Sequence, residues 1–164
     1  IVLYIRDERR TGHDIGQLVE RAPNVVGVKY GVRDATRFAA VARDAGLDWL
    51  TWLAGAAELT APAFWVVGAR GFTSGLANVN PALALGMLEA LRNNDFQAAM
   101  QGWESARRFE ELRLANGSAD NVSVVKEALA QLGLCRAGVR PPSRPLPEDI
   151  KAEIGGILIS WGMR

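Results

Sequence analysis

Lys29 is one of three lysines in a chain with sixteen arginines, and it stands in the apolar run Val25-Val26-Gly27-Val28-Lys29-Tyr30-Gly31. So apolar a strand reads as buried on both faces, as in a parallel sheet, where an ammonium is out of place. Desolvation disfavours the charged form and lowers a lysine pKa from roughly 10.4 toward neutrality. A neutral amine is a nucleophile, and lysine, unlike arginine, can lose its proton and condense with a carbonyl. The alternative is a lysine at a strand end that snorkels to water or pairs with a carboxylate.

Other groups with chemical potential fall at the C-terminal ends of neighbouring apolar runs: Tyr4, Gly55, and Thr73 with Ser74. A phenol within hydrogen-bond reach of the amine can relay protons to and from a carbinolamine. Gly55 and Gly75 let backbone approach a ligand closely, and Thr73 or Ser74 can hydrogen-bond a carboxylate. The loop from Arg6 to Arg10 holds three arginines, whose forks match a carboxylate bidentately. Together these groups suit an oxo acid.

The elements that must position them alternate between short apolar runs and helical patterns, the signature of βα units around a parallel sheet. The pattern predicts strands over residues 1–4, 25–29, 49–54 and 71–74. Helices are predicted over 14–21, from Asp34 as N-cap to a stop at Gly46, over 56–67, and from Pro81 to Arg92. Beyond Arg92 the strands cease, and helices are expected over 96–115, 122–132 and 147–161. Arg140-Pro141-Pro142-Ser143-Arg144-Pro145 forms an extended connector between the last two. Four consecutive βα units fit half of an eight-stranded barrel better than a doubly wound sheet, since a whole barrel takes roughly 250 residues. The expected organisation is α/β: residues 1–94 form the second half of a (β/α)8 barrel, and residues 95–164 form a C-terminal helical domain.

Composition narrows the classes. The chain has 164 residues, 49% of them hydrophobic, and a net charge of +1 with both signs interspersed. That leaves no basic stripe for nucleic acid and no apolar run of about 18 residues for a membrane. Cys135 and His13 are the sole residues of their types, so no Cys/His metal cluster is expected and both read as structural. The lone thiol and the lack of a secretory signal suggest a cytoplasmic protein. The opening Ile1-Val2-Leu3-Tyr4, without an initiator Met, reads as the start of a piece of a longer polypeptide.

In these residues the chain resembles the dihydrodipicolinate synthase / N-acetylneuraminate lyase family of Schiff-base-forming lyases. Leu3-Tyr4 through Arg10-Thr11-Gly12 is similar to that family's strand-five motif, and Val26-Gly27-Val28-Lys29 to its strand-six lysine motif. Leu53-Ala54-Gly55 resembles its strand-seven glycine turn. Gly68 to Gly75, followed by Ala77-Asn78-Val79 and Pro81, resembles strand eight, and Val125-Lys126-Glu127-Ala128-Leu129, Leu132-Gly133-Leu134 and Val139 to Pro142 resemble its C-terminal helices.

The resemblance implies strands five to eight of a barrel plus a C-terminal helical domain, in an enzyme that is usually a homotetramer and needs no cofactor or metal. It implies that Lys29 forms an imine with pyruvate or another 2-oxo acid and that Tyr4 shuttles protons. Arg10 would orient a substrate carboxylate, and Gly55 and Thr73 would give backbone contacts. The partner it implies is the first barrel half, which in this family carries the hydroxyl pair and glycine loop that grip the oxo-acid carboxylate. The loop after Tyr4 is one residue longer than the commoner synthase pattern, leaving Arg9 and Arg10 as alternatives in register. Its Tyr-x-Arg-Asp start is closer to the sugar-acid dehydratase branch, including 5-dehydro-4-deoxyglucarate dehydratase. Ala56 and Ala57 stand where synthases favour acidic residues. Dihydrodipicolinate synthase-like activity is the first expectation, with such a dehydratase as the alternative. A non-catalytic oxo-acid-binding barrel or scaffold is a third. The chain by itself is expected to be inactive.

Overall fold

A computed structural model describes all residues, 1–164. Four parallel strands lie side by side in chain order: β1 (Val2–Ile5), β2 (Gly27–Tyr30), β3 (Thr51–Ala54) and β4 (Gly71–Phe72). Helices α1 (Gly12–Arg21), α2 (Ala35–Ala45) and α3 (Ala61–Val67) form the crossovers between them. Helices α4 (Pro81–Arg92), α5 (Phe96–Ser118), α6 (Asn121–Gln131) and α7 (Glu148–Ser160) follow. Four parallel strands with their helices make a partial (β/α) barrel. None of the helices is long and apolar enough to cross a membrane.

Local chemistry sets the helix ends. Thr11 and Asp14 form a capping box at the start of α1, with Asp14 N–H on Thr11 Oγ1 at 3.2 Å and Thr11 N–H on Asp14 Oδ2 at 2.9 Å. The helix therefore begins two residues before the expected Asp14, with His13 exposed in its first turn beside Gln17 at 2.9 Å. Asp34 caps α2 through Arg37 N–H at 2.9 Å, and Gly46 closes it with φ +95.

Three expectations are corrected. The strand expected from Trp49 starts at Thr51, because Trp49 belongs to the turn after α2, its N–H donating to Gly46 O at 3.3 Å. The helix expected over 56–67 is broken into a short 3-10 turn, Ala57–Leu59, and α3. Pro62 tolerates the first turn of a helix, but further in its ring meets the carbonyl four residues back, here Glu58, so α3 cannot reach upstream. β4 ends at Phe72, although Thr73 N–H still donates to Ala54 O at 3.1 Å before the chain turns away.

The fourth correction concerns Lys29. Gly27, Val28 and Tyr30 of its strand are buried on both faces, but Lys29 itself is not fully so. Val28 and Tyr30 are fully buried against the helices, while Lys29 is half-buried on the other face. Behind the sheet, Phe38 of α2 stacks on Phe64 of α3 with centroids 4.2 Å apart and meets Trp52 of β3 edge-on at 5.6 Å. A second apolar cluster joins Leu76, Val79 and Ala84 to Phe109 and Leu112 of α5, Val124 of α6 and Ile154 and Leu158 of α7. The three C-terminal helices thus share a core with the segment that follows β4. Regular geometry in α5 breaks at Ala115, with Asn116 at φ 52 and Gly117 at φ 66.

Candidate active site at the strand ends

In parallel register Tyr4 pairs with Lys29, Lys29 with Leu53, and Leu53 with Gly71. Residues so paired share a face of the sheet, so Tyr4 and Lys29 stand together on its open side. Lys29 Nζ lies 4.1 Å from the centroid of the Tyr4 ring, over its face and not at the phenol oxygen. The ring has room because residue 31 is glycine: a Cβ there would come within 3.0 Å of Tyr4 Cε2. The Arg6 guanidinium also stands over this ring, at 5.9 Å.

A cavity of about 210 Å³ opens at these strand ends. Tyr4, Lys29, Gly55, Thr73 and Ser74 line it, so five of the six residues singled out from sequence converge on one space. Arg10 does not line it: it lies in an adjoining groove against Leu3, Ile5, Ile15 and Leu18, with Tyr4 common to both. Its neighbour Arg9 is exposed and pairs with Asp7 through Nε and Nη2, the latter to Oδ2 at 2.7 Å.

Gly55 is needed where it stands, since a Cβ would lie 2.7 Å from Tyr30 O. Its N–H donates to that same carbonyl at 2.7 Å, and Thr73 N–H is likewise spent on Ala54 O. What both residues can offer a ligand from the backbone is therefore a carbonyl acceptor. Ser74 Oγ accepts from Ala77 N–H at 2.8 Å and donates its own proton to Glu58 Oε1.

Sequence reasoning missed Glu110, Arg113 and Asn121 on the far wall, and Glu58 behind Ser74. Glu58 is fully buried, its Oε1 capped by Ser74 and its Oε2 without a partner. Burial raises its carboxyl pKa against the opposing effect of the Ser74 hydrogen bond. Glu110, on α5, is also buried and accepts from Arg113 Nη1. Loss of solvent pushes its pKa up to about 7, outweighing the attraction of Arg113, with the nearby Glu58 charge acting in the same direction as burial. Arg113 donates from Nε and Nη2 to Asn121 Oδ1 at 3.1 and 2.6 Å. Two signals were available: Pro62 forbids a helix through Glu58, and Glu110-x-x-Arg113 is an i, i+3 ion-pair spacing.

The chain matches the Dihydrodipicolinate synthetase family over residues 1–160. A 4-hydroxy-tetrahydrodipicolinate synthase of Methanoculleus marisnigri is 29% identical, over 99% of this chain and 55% of that protein. A probable 5-dehydro-4-deoxyglucarate dehydratase of Rhizobium rhizogenes is 31% identical, over 93% of this chain and 51% of that protein. Among solved structures, dihydrodipicolinate synthase from Bacillus clausii superposes with a TM-score of 0.92 at 39% identity, covering 98% of this chain and 54% of that one. The Acinetobacter baumannii synthase, solved complexed with pyruvate, superposes at 0.85 with 26% identity, covering 99% and 55%. The chain spans about half the length of the curated relatives it matches. With the match running through both the strand-end site and the helices that follow, the chain belongs to the dihydrodipicolinate synthetase family.

Proposed function

We propose that this chain supplies the nucleophile-bearing half of a class I lyase acting on pyruvate or another 2-oxo acid. The Lys29 amine adds to the C2 carbonyl, the carbinolamine loses water, and the resulting imine draws electrons from C3 when a proton leaves there. The enamine then either attacks an aldehyde, as in a synthase, or expels a hydroxide from the neighbouring carbon, as in a dehydratase. Tyr4 hands protons to and from the carbinolamine oxygen, turning its phenol toward Lys29 from the ring-stacked position. The carbonyls of Gly55 and Thr73 accept hydrogen bonds from the intermediates.

The observation that carries this reading is the pairing of Lys29 with Tyr4, Nζ 4.1 Å from the ring, in the cavity at the strand ends. Strands five to eight, the division at residues 94 and 95 into barrel half and C-terminal helical domain, the homotetramer and the cytoplasmic location belong to the same reading. So does a first barrel half that grips the oxo-acid carboxylate. Arg10 reaches the site only past Tyr4.

The dehydratase is favoured as the second reading by Ala56 and Ala57, which leave the wall after Gly55 without a carboxylate to meet an amine-bearing aldehyde. Borohydride reduction in the presence of pyruvate tests the common step, in the complete barrel. The expected product is a stable adduct on the Lys29 peptide, absent in Lys29→Ala. A complete barrel in which Lys29 stays unlabelled while a known imine former reacts fully would leave a binding protein or scaffold instead.

A further inference from the structure

The short turn after Gly55 is bent against its own preference to bring Glu58 inside. Ala57 is held at φ 58, in the left-handed region that a residue with a Cβ enters only at a cost. Strain of this kind collects at functional sites. Trp103 Nε1 of α5 pins the turn by donating to Leu59 O at 3.1 Å. Glu58 ends fully buried behind Ser74 with its Oε2 unpartnered, an arrangement that costs stability and that packing alone does not call for.

What joins this carboxyl to the cavity is the Ser74 hydroxyl, which lines the space shared by Lys29 and Tyr4. A serine oxygen has one proton and two lone pairs. One lone pair takes the Ala77 N–H at 2.8 Å. When Glu58 is ionised the serine proton is committed to Oε1, and Ser74 can only accept from the cavity. When Glu58 is protonated, its own proton fills the second lone pair and the serine proton is free to point at a ligand. Burial raises the Glu58 pKa, so this second state persists to higher pH than in a solvated glutamate, with Arg113 of α5 acting against it. The charges of Glu58 and Glu110 of α5 oppose each other, and Lys29 and Tyr4 across the cavity complete the titratable surroundings.

Hydroxide is a poor leaving group, and Tyr4 is assigned to the carbinolamine at C2, so a hydroxyl expelled from C4 needs a proton donor of its own. We propose that Ser74 is the general acid that protonates this departing hydroxyl, and that Glu58 positions and replenishes its proton. The ligand class is a 2-oxo acid with a hydroxyl on C4. The enamine nitrogen pushes its electron pair through C2 and C3, the C4–O bond breaks with its pair going to oxygen, and that oxygen takes the Ser74 proton and leaves as water. The Glu58 proton moves to Ser74 Oγ in the same step, and the Glu58 carboxylate regains a proton from solvent through Ser74. The proposal rests on the Lys29 imine and selects the dehydratase over the synthase.

The test compares 4-hydroxy-2-oxopentanoate with 4-fluoro-2-oxopentanoate in the complete barrel, because fluoride is the anion of a far stronger acid than water and leaves without a proton. Glu58→Gln, an uncharged isostere, and Ser74→Ala are each expected to slow loss of the hydroxyl at least about 100-fold more than loss of fluoride, the range of one general acid. In the wild type the hydroxyl-to-fluoride ratio should fall as pH rises through the Glu58 titration. Difference infrared spectra of wild type against Glu58→Gln read the proton without turnover: the Glu58 carboxyl band should persist to higher pH than that of an ordinary glutamate, and ionisation in the ordinary range would overturn the proposal. Equal slowing of both compounds in the two variants would overturn it too, since the pair would then serve only the fold. So would cleavage of the hydroxy compound to pyruvate and acetaldehyde without loss of water, the outcome of an aldolase. Borohydride trapping of pyruvate in the same preparation keeps the two readings apart. An imine on Lys29 with equal slowing sinks the Ser74 relay alone, and no imine sinks the Lys29 reading on which the relay depends.

Discussion

At the scale of single residues the buried pair Glu58 and Glu110 is the feature that most constrains behaviour in solution. Glu110 holds its proton to about pH 7 in the folded chain, whereas an unfolded glutamate releases it near 4.3. Between those values the folded state binds more protons than the unfolded one, so its stability falls as pH rises through that window and levels off above it. Glu58, raised in the same direction, adds to the slope; Arg113 opposes it, and Lys29 and Tyr4 lie across the cavity. Glu110→Gln is expected to flatten much of the dependence, which for Glu110 alone is on the order of 3 kcal/mol. Urea denaturation of both proteins at pH 5 and pH 8 measures it, and an unchanged slope in the variant would assign the titration elsewhere. Lys29, Tyr4, Gly55, Thr73 and Ser74 were legible in the sequence because strand ends can be read from apolar runs. The acids were not, because Glu58 turns inward at the break imposed by Pro62, and Arg113 meets Gly75 only through tertiary packing.

Among the elements, order and type were readable where capping and periodicity agree, as in α2 between Asp34 and Gly46. Boundaries were less so, since strands of two to four residues carry too few positions for an alternating pattern to register. The same shortness means that the strands owe their placement to the helices behind them. Phe38 is the centre of that support, packed within 5.4 Å of the Tyr30 ring, 5.6 Å of Trp52 and 4.2 Å of Phe64. Tyr30 and Trp52 in turn flank Lys29 and Leu53 in sequence, so the aromatic layer fixes the strands from which the cavity residues project. Phe38→Ala should cost about 3 to 5 kcal/mol. Its effect should exceed that of Asp34→Ala, at about 1 kcal/mol, although both lie at the same end of α2. Chemical denaturation ranks the two, and the reverse order would show that capping, not aromatic packing, holds α2 to the sheet.

At the scale of the whole molecule the sheet is unfinished. β1 and β4 each have one neighbour, so each presents an unpaired edge, and the face bearing Lys29 has no helical layer over it. Val2 and Tyr4 on that open face are 51% and 52% exposed, and Ile1 and Val26 beside it 65% and 58%. Apolar surface gains about 25 cal/mol for each Å² removed from water, and parallel edges gain further when their N–H and C=O groups are paired. Both gains are open to another set of four strands, and either a first barrel half or a second copy of this chain can collect them. The 164-residue polypeptide on its own is therefore expected to self-associate in sedimentation velocity at micromolar concentration and to turn over no substrate. Adding a first barrel half, prepared as a separate polypeptide, should shift it to a defined complex that labels Lys29 with pyruvate and borohydride. The catalytic prediction is the stricter of the two, because self-association would cover the apolar face without bringing in the groups that the proposed function assigns to a first barrel half. Turnover by the purified chain alone would mean that the cavity already holds everything the reaction requires, and the division of labour between the two halves would have to be abandoned.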